Sequence, residues 1–191
     1  MSFDFTAISE FVRAEIVPLE KQLLTSSFSK NLPTIQEIRN KVKQNGWWLP
    51  HMPQQFGGMG VSLVELAQIG ECLGQTPLGH YCFGFQAPDA GNMEILKDFG
   101  TSDQQKHYLT PLTTGHSRSC FSMTEPDFAG SNPVHMGTVA VKDGDDYVIS
   151  GRKWFTTGAD GADFAIVMCI TNPNASAYQR ASQIIVPTNT Q

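Results

Sequence analysis

In two short clusters in the C-terminal half of the chain, hydroxyls, an acid, flexible glycines and flat aromatic rings alternate. The first is Phe121-Ser122-Met123-Thr124-Glu125-Pro126, continued by Phe128-Ala129-Gly130-Ser131. The second is Gly151-Arg152-Lys153-Trp154-Phe155-Thr156-Thr157-Gly158. Aromatic faces can lie against a flat ring, and Thr or Ser hydroxyls can donate to its polar edge. Together these residues would make a wall for a flat, polar cofactor. Each also has a plainer reading. Thr-Glu-Pro alone is a common turn, Thr157 an ordinary strand hydroxyl, and Phe121 and Phe155 core residues of a β domain. No H-E-x-x-H spacing and no C-x-x-C pair is present, so no metal site is assigned. Asp160 and Asp163 read as a polar turn rather than a calcium loop.

The elements that must position these clusters change character near Gly115. Before it, Phe5, Ile8, Phe11, Val12, Ile16, Leu19 and Leu23 recur at three- and four-residue steps and predict one helical stripe. Pro18 should kink that helix. Pro33 should start a second helix with Ile35, Ile38 and Val42 on one face, stopped by Gly46. Ser62-Leu63-Val64-Glu65 is a capping box ahead of Leu66, Ile69 and Leu73. Ser102-Asp103-Gln104-Gln105 predicts a second such cap, and Asp89 caps a helix running to Phe99 and Gly100. The glycines Gly57, Gly58 and Gly60 lack a following lysine and read as a connector rather than a phosphate loop.

After Gly115 the pattern alternates. Val139-Ala140-Val141 and Tyr147-Val148-Ile149 flank Asp143-Gly144, a strong hairpin signal. Phe155, Phe164-Ala165-Ile166-Val167 and Ile184-Ile185-Val186-Pro187 fall in further β-type runs. Helices first and strands second imply an α+β protein: an all-helical domain over residues 1–118, then a β-barrel or sandwich over residues 119–191.

Bulk properties narrow the function. Thirteen Lys and Arg against 18 Asp and Glu give a net charge of −5, with no basic block, so nucleic acid is not a predicted partner. No stretch has the apolar length of a membrane span. Cys72, Cys82, Cys120 and Cys169 are far apart and read as reduced thiols. The start, Met1-Ser2-Phe3-Asp4-Phe5, lacks a basic, apolar leader, and a cytoplasmic location is expected.

Taken in order, the motifs resemble the acyl-CoA dehydrogenase family. Glu15-Ile16-Val17-Pro18-Leu19-Glu20 is similar to its first helix, and Phe56-Gly57-Gly58 with Gly60 and Ser62 to the following loop. Gln86-Ala87-Pro88-Asp89-Ala90-Gly91-Asn92-Met93-Glu94 resembles the branch of the long eukaryotic members and their bacterial relatives. Phe99-Gly100-Thr101, Gln104-Gln105-Lys106 and Tyr108-Leu109 resemble the helical run before the flavin segment. Met123-Thr124-Glu125-Pro126 and Lys153-Trp154-Phe155-Thr156-Thr157 complete the likeness, which covers essentially the whole chain.

The resemblance implies FAD. It places Phe121 and Met123 near the isoalloxazine ring, Thr124 at its N1–C2 carbonyl edge and Thr157 at N5, with Gly130, Phe155 and Thr156 in the same cofactor wall. Phe155 stands where many members have Trp, which keeps the apolar face without the indole donor. Ser131 falls at the pyrophosphate and beside the acyl-CoA, and Arg180 and Ser182 fall near the CoA moiety. The implied reaction is Cα–Cβ desaturation of an acyl-CoA thioester, with electrons passed to an electron-transfer flavoprotein in a homo-oligomer. The family's catalytic glutamate lies in a C-terminal helical bundle, so no acid of these 191 residues is assigned as the base. Inactivity of the isolated chain is therefore expected. A related flavin oxidase or monooxygenase, and a non-catalytic folded module, remain as alternatives.

Overall fold

A computed structural model describes residues 5–130 and 132–190. The chain forms two compact units that divide between His116 and Ser117.

The first unit is helical. Its opening stripe winds as α1 (Phe5–Phe11), a π-helical turn (Val12–Ile16), a 3₁₀ turn (Val17–Leu19) and α2 (Glu20–Thr25). Pro18 sits in the first turn of the 3₁₀ segment, where its missing N–H would have no partner anyway. Ile8, Val12 and Ile16 are fully buried, as the stripe requires.

The next helix, α3 (Phe28–Gln44), begins ahead of Pro33, which lies inside it. Asn31 anchors that early turn: its amide donates to the Ser27 carbonyl at 3.0 Å and to Ser26 Oγ at 2.7 Å. The helix ends as expected at Gly46, whose φ of +72° brings Trp47 N onto Val42 O.

In α4 (Leu63–Leu73) the Ser62–Glu65 capping box is closed in both directions. Asp89 is the first residue of α6 (Asp89–Phe99) rather than its cap, and it accepts from Gln86 Nε2. The later capping box is built by Thr101 with Gln104, one residue before the expected serine, ahead of α7 (Ser102–Gln104). A π-helical turn (Gln105–Leu109) and α8 (Thr110–Thr114) complete the unit, with α5 (Gly79–Cys82) lying between α4 and α6.

Phe83 is fully buried and meets Phe11 edge-on at 6.2 Å and Trp47 face-on at 6.4 Å. Arg39, also buried, lies between the faces of Trp48 and Tyr81 at 4.8 and 4.9 Å. Burial pushes the Cys82 thiol up to about 12, so it is chemically quiet at neutral pH.

His51 stacks on Phe85 at 5.0 Å, and both of its ring nitrogens are buried without a hydrogen-bond partner among the described residues. Burial holds its pKa down at about 4, against 6.5 in the unfolded chain. Between those values the unfolded chain binds a proton that the fold refuses, so stability falls as pH drops from about 6.5 to 4. Burial lowers the neighbouring His80 in the same sense. His51→Phe keeps the stack and removes the proton site. Its stability should lose up to about 1.4 kcal/mol per pH unit of slope relative to the parent in that window. Urea denaturation at a series of pH values measures this, and equal slopes would refute it.

The second unit is a mixed five-stranded sheet: β1 (Ser119–Ser122), β2 (Val139–Asp143), β3 (Asp146–Ser150), β4 (Phe164–Ile170) and β5 (Ala181–Pro187). β4 is its centre. Residues Phe164 to Val167 pair in parallel with β1, Ile170 meets Val139 of β2, and the whole strand pairs antiparallel with β5. β2 and β3 form the expected hairpin, Val139 opposite Ser150, with Gly144 at φ +61° in the turn.

The expected barrel or sandwich is not present as a closed structure. A cleft of about 690 Å³ opens between β3 and β5, lined by Tyr147, Ile149, Ile184 and Val186 among others. Among the described residues, no helix is long and apolar enough to cross a membrane, and no cluster of potential ligands could hold a metal ion.

Candidate functional site

β1 delivers the first cluster. Ser122 is buried, Phe121 and Met123 are half-buried, and the chain leaves the sheet at Met123. The loop that follows is held by Glu125, only 4% of whose side chain is exposed. Its carboxylate accepts from Gly137 N at 2.6 Å, Thr138 N at 2.9 Å and Lys153 Nζ at 2.8 Å. Burial alone would raise its pKa, but the hydrogen bonds from Lys153, Thr138 and Gly137 outweigh that and bring it to about 2. Glu125 is therefore ionised across the physiological range.

Lys153 comes from the second cluster and completes the connection. Besides Glu125, its ammonium donates to the Met123 carbonyl at 2.9 Å. One residue on, Trp154 N donates to the Thr124 carbonyl at 3.0 Å. The two clusters therefore lie side by side, joined by backbone and charge.

The second cluster is not the strand that its composition suggests. β3 ends at Ser150, and residues 151–156 are irregular, followed by a turn at Thr157 and Gly158. Two features prevent a strand. A Cβ at Gly151 would fall 2.3 Å from Thr138 Oγ1, so the backbone passes too close for a side chain. Phe155 has φ +50°, a left-handed conformation that bulky residues rarely adopt.

That backbone turns the ring of Phe155 outward. It is 79% exposed, and its centroid lies 4.5 Å from that of Trp154, itself 41% exposed. Thr157 is exposed and Thr156 half-buried. Gly130 approaches Thr124 so closely that a Cβ there would lie 2.6 Å from the threonine methyl. Ser131 lies outside the described residues.

Arg180 and Ser182 are held elsewhere in the sheet. The Arg180 guanidinium donates to the Val134 carbonyl, and Ser182 Oγ is 2.7 Å from Thr171 Oγ1. Asp163 accepts from Ser117 Oγ and Arg118 N, both at 2.9 Å, which gives it a structural role in the turn before β4.

Reading the sequence missed the Glu125–Lys153 pair and the Gly137–Thr138 donors. The only signal was an acid in one motif and an amine in the other, separated by 28 residues.

The family profile described as acyl-CoA dehydrogenase, N-terminal domain, matches residues 5–116, and that of the middle domain matches residues 120–191. The chain belongs to the acyl-CoA dehydrogenase family. It is 36% identical to acyl-CoA dehydrogenase family member 11 of Gallus gallus, over 96% of this chain and 25% of that protein. The structure of a Mycobacterium abscessus protein assigned as an acyl-CoA dehydrogenase superposes with a TM-score of 0.90 at 35% identity, over 97% of this chain and 49% of that one. Glutaryl-CoA dehydrogenase from Mycobacterium smegmatis, solved in complex with FADH2, superposes with a TM-score of 0.68 at 25% identity, over 100% of this chain and 47% of that one. The chain thus spans from a quarter to about half the length of these relatives.

Proposed function

We infer that this chain forms one wall of the FAD site of an acyl-CoA dehydrogenase, and that the whole protein desaturates an acyl-CoA thioester between Cα and Cβ. The observation that carries this reading is Phe155. Its ring is held out in solvent on a strained backbone, next to the tied Thr124 loop. A bulky residue kept at positive φ with an exposed ring has no benefit to the fold, and such strain concentrates at functional sites. The M. smegmatis relative, with its bound FADH2, supports the same ligand.

The residues fit that group. Phe155 offers an apolar face, Thr124, Thr156 and Thr157 offer hydroxyls, and Gly130 lets its loop close against Thr124 where a side chain would not fit. In the proposed arrangement Phe121 and Met123 would flank the ring, Thr124 would donate to its N1–C2 carbonyl edge, where the reduced form carries negative charge, and Thr157 would donate at N5. FAD, when bound, supplies the acceptor for the hydride that leaves Cβ. Ser131, Arg180 and Ser182 are proposed toward the phosphates and the CoA moiety. No residue of this chain is proposed as the base. An electron-transfer flavoprotein as acceptor and a homo-oligomeric state complete the proposal.

FAD titration tests it. The chain should perturb the visible flavin band and quench flavin fluorescence, and Phe155→Ala should weaken that binding about fivefold through the lost ring contact. No octanoyl-CoA-dependent bleaching of flavin is expected from the isolated chain under anaerobic conditions. Absence of any FAD binding, or equal binding by the variant, would overturn the reading of this wall.

A further inference from the structure

Lys153 has no counterpart in the chemistry described above. It is not an exposed cation: 12% of its side chain is accessible, and it sits on Glu125, which is more deeply buried still. Burying a charge pair costs several kcal/mol per ion in desolvation, and an apolar pair of similar volume is often as stable. Fold stability alone is therefore a weak reason for this pair, and its connections suggest another. Every bond it makes joins segments that bear on the proposed flavin wall. Lys153 Nζ bridges Glu125 Oε1 and the Met123 carbonyl, which places it across the loop containing Thr124. Glu125 in turn fixes Gly137 N and Thr138 N, at the entry to β2. The next amide after Lys153, Trp154 N, holds Thr124 O, and Phe155 follows.

The surrounding sequence makes room for the connection. Gly137 packs against Phe128, where a Cβ would come within 2.7 Å of the ring, and Gly151 packs against Thr138, where a Cβ would fall 2.3 Å from Oγ1. Three glycine contacts, including that of Gly130 with Thr124, bring the same segments together around one ion pair.

We propose that Lys153 and Glu125 are positioning residues: their buried pair sets the register between the Thr124 loop and the Phe155 segment, and so fixes the two faces presented to the flavin. This rests on the flavin reading, but the register itself is testable without any flavin. The Trp154 amide reports the junction directly, and the hairpin amides of Val141 and Val148 report whether the unit is folded. In Lys153→Met, hydrogen exchange at Trp154 should rise about tenfold or more relative to the hairpin, the scale of losing a hydrogen bond from a charged group. Lys153→Arg, which keeps the charge, should restore most of the protection. Unchanged Trp154 exchange in Lys153→Met, with the hairpin intact, overturns the register role. Should Lys153→Met unfold the unit, Glu125→Asp carries the same measurement. It keeps the charge but shortens the reach, and an unchanged Trp154 amide there also overturns the proposal.

FAD titration separates this from the functional reading. If the parent chain binds FAD, Lys153→Met should weaken binding about tenfold and alter the visible band, with rescue by arginine. Equal affinity and band shape in parent and Lys153→Met overturn the positioning role toward flavin. A parent that binds no FAD refutes the flavin reading, while the exchange result still decides the register.

Discussion

Glu125→Ala is expected to destabilise the sheet unit by about 3–5 kcal/mol, the usual effect of removing one partner of a buried ion pair. The loss has three parts: Lys153 keeps a charge with no anion, and the amides of Gly137 and Thr138 lose their acceptor. Urea denaturation followed by circular dichroism in the β region measures it, and a loss under about 1 kcal/mol would mean that water replaces the carboxylate freely. The same variant carries a pH signature. The folded pKa of Glu125 is about 2, below its ordinary 4.5, so its contribution is fully present above about 4.5 and lost as pH falls toward 2. The difference between parent and Glu125→Ala should shrink through that window. A constant difference would place the stabilisation in packing instead of charge.

Phe83→Ala should cost the helical unit a similar amount, about 3–5 kcal/mol, by leaving a cavity where its fully buried ring lay. The ring supports Phe11 and Trp47, and its carbonyl accepts from Leu49 N at 3.0 Å. Tryptophan fluorescence in a Trp154→Phe background reports on this unit alone, because Trp47 and Trp48 are the remaining tryptophans. A fall in the denaturation midpoint without a change in slope is the expected result. A loss below about 1 kcal/mol would show that the neighbouring rings collapse into the space.

Signals contained within a few residues were the legible ones. Ser62 and Glu65 close a capping box because both partners sit on one turn, and Asp143-Gly144 makes its hairpin because the turn needs only its own residues. Pro33 misled because the anchor of its helix is Asn31 bonding back to Ser26 and Ser27, a tertiary-style contact made locally. The cap falls to Thr101 with Gln104 rather than to the equally spaced Ser102 and Gln105, because the Gln105 amide is spent on the Leu96, Lys97 and Gly100 carbonyls. The supposed strand at 153–157 failed for a different reason. Its aromatic and β-branched composition favours a strand, but the close passage past Thr138 and the conformation of Phe155 are set by residues remote in sequence. At the site, residue types were readable and connections were not. Nothing in the order of residues says that the acid of one motif and the amine of the other share a bond across 28 positions.

The left-handed backbone of Phe155 also bears on how this protein will respond to selection. Glycine adopts φ +50° without strain, so Phe155→Gly relieves about 1 kcal/mol or more of backbone strain and removes an exposed ring. A screen that rewards only solubility or heat resistance would favour that change. If the ring lies against FAD, the same change removes the surface on which the cofactor rests. Thermostability and flavin binding would then pull this codon in opposite directions.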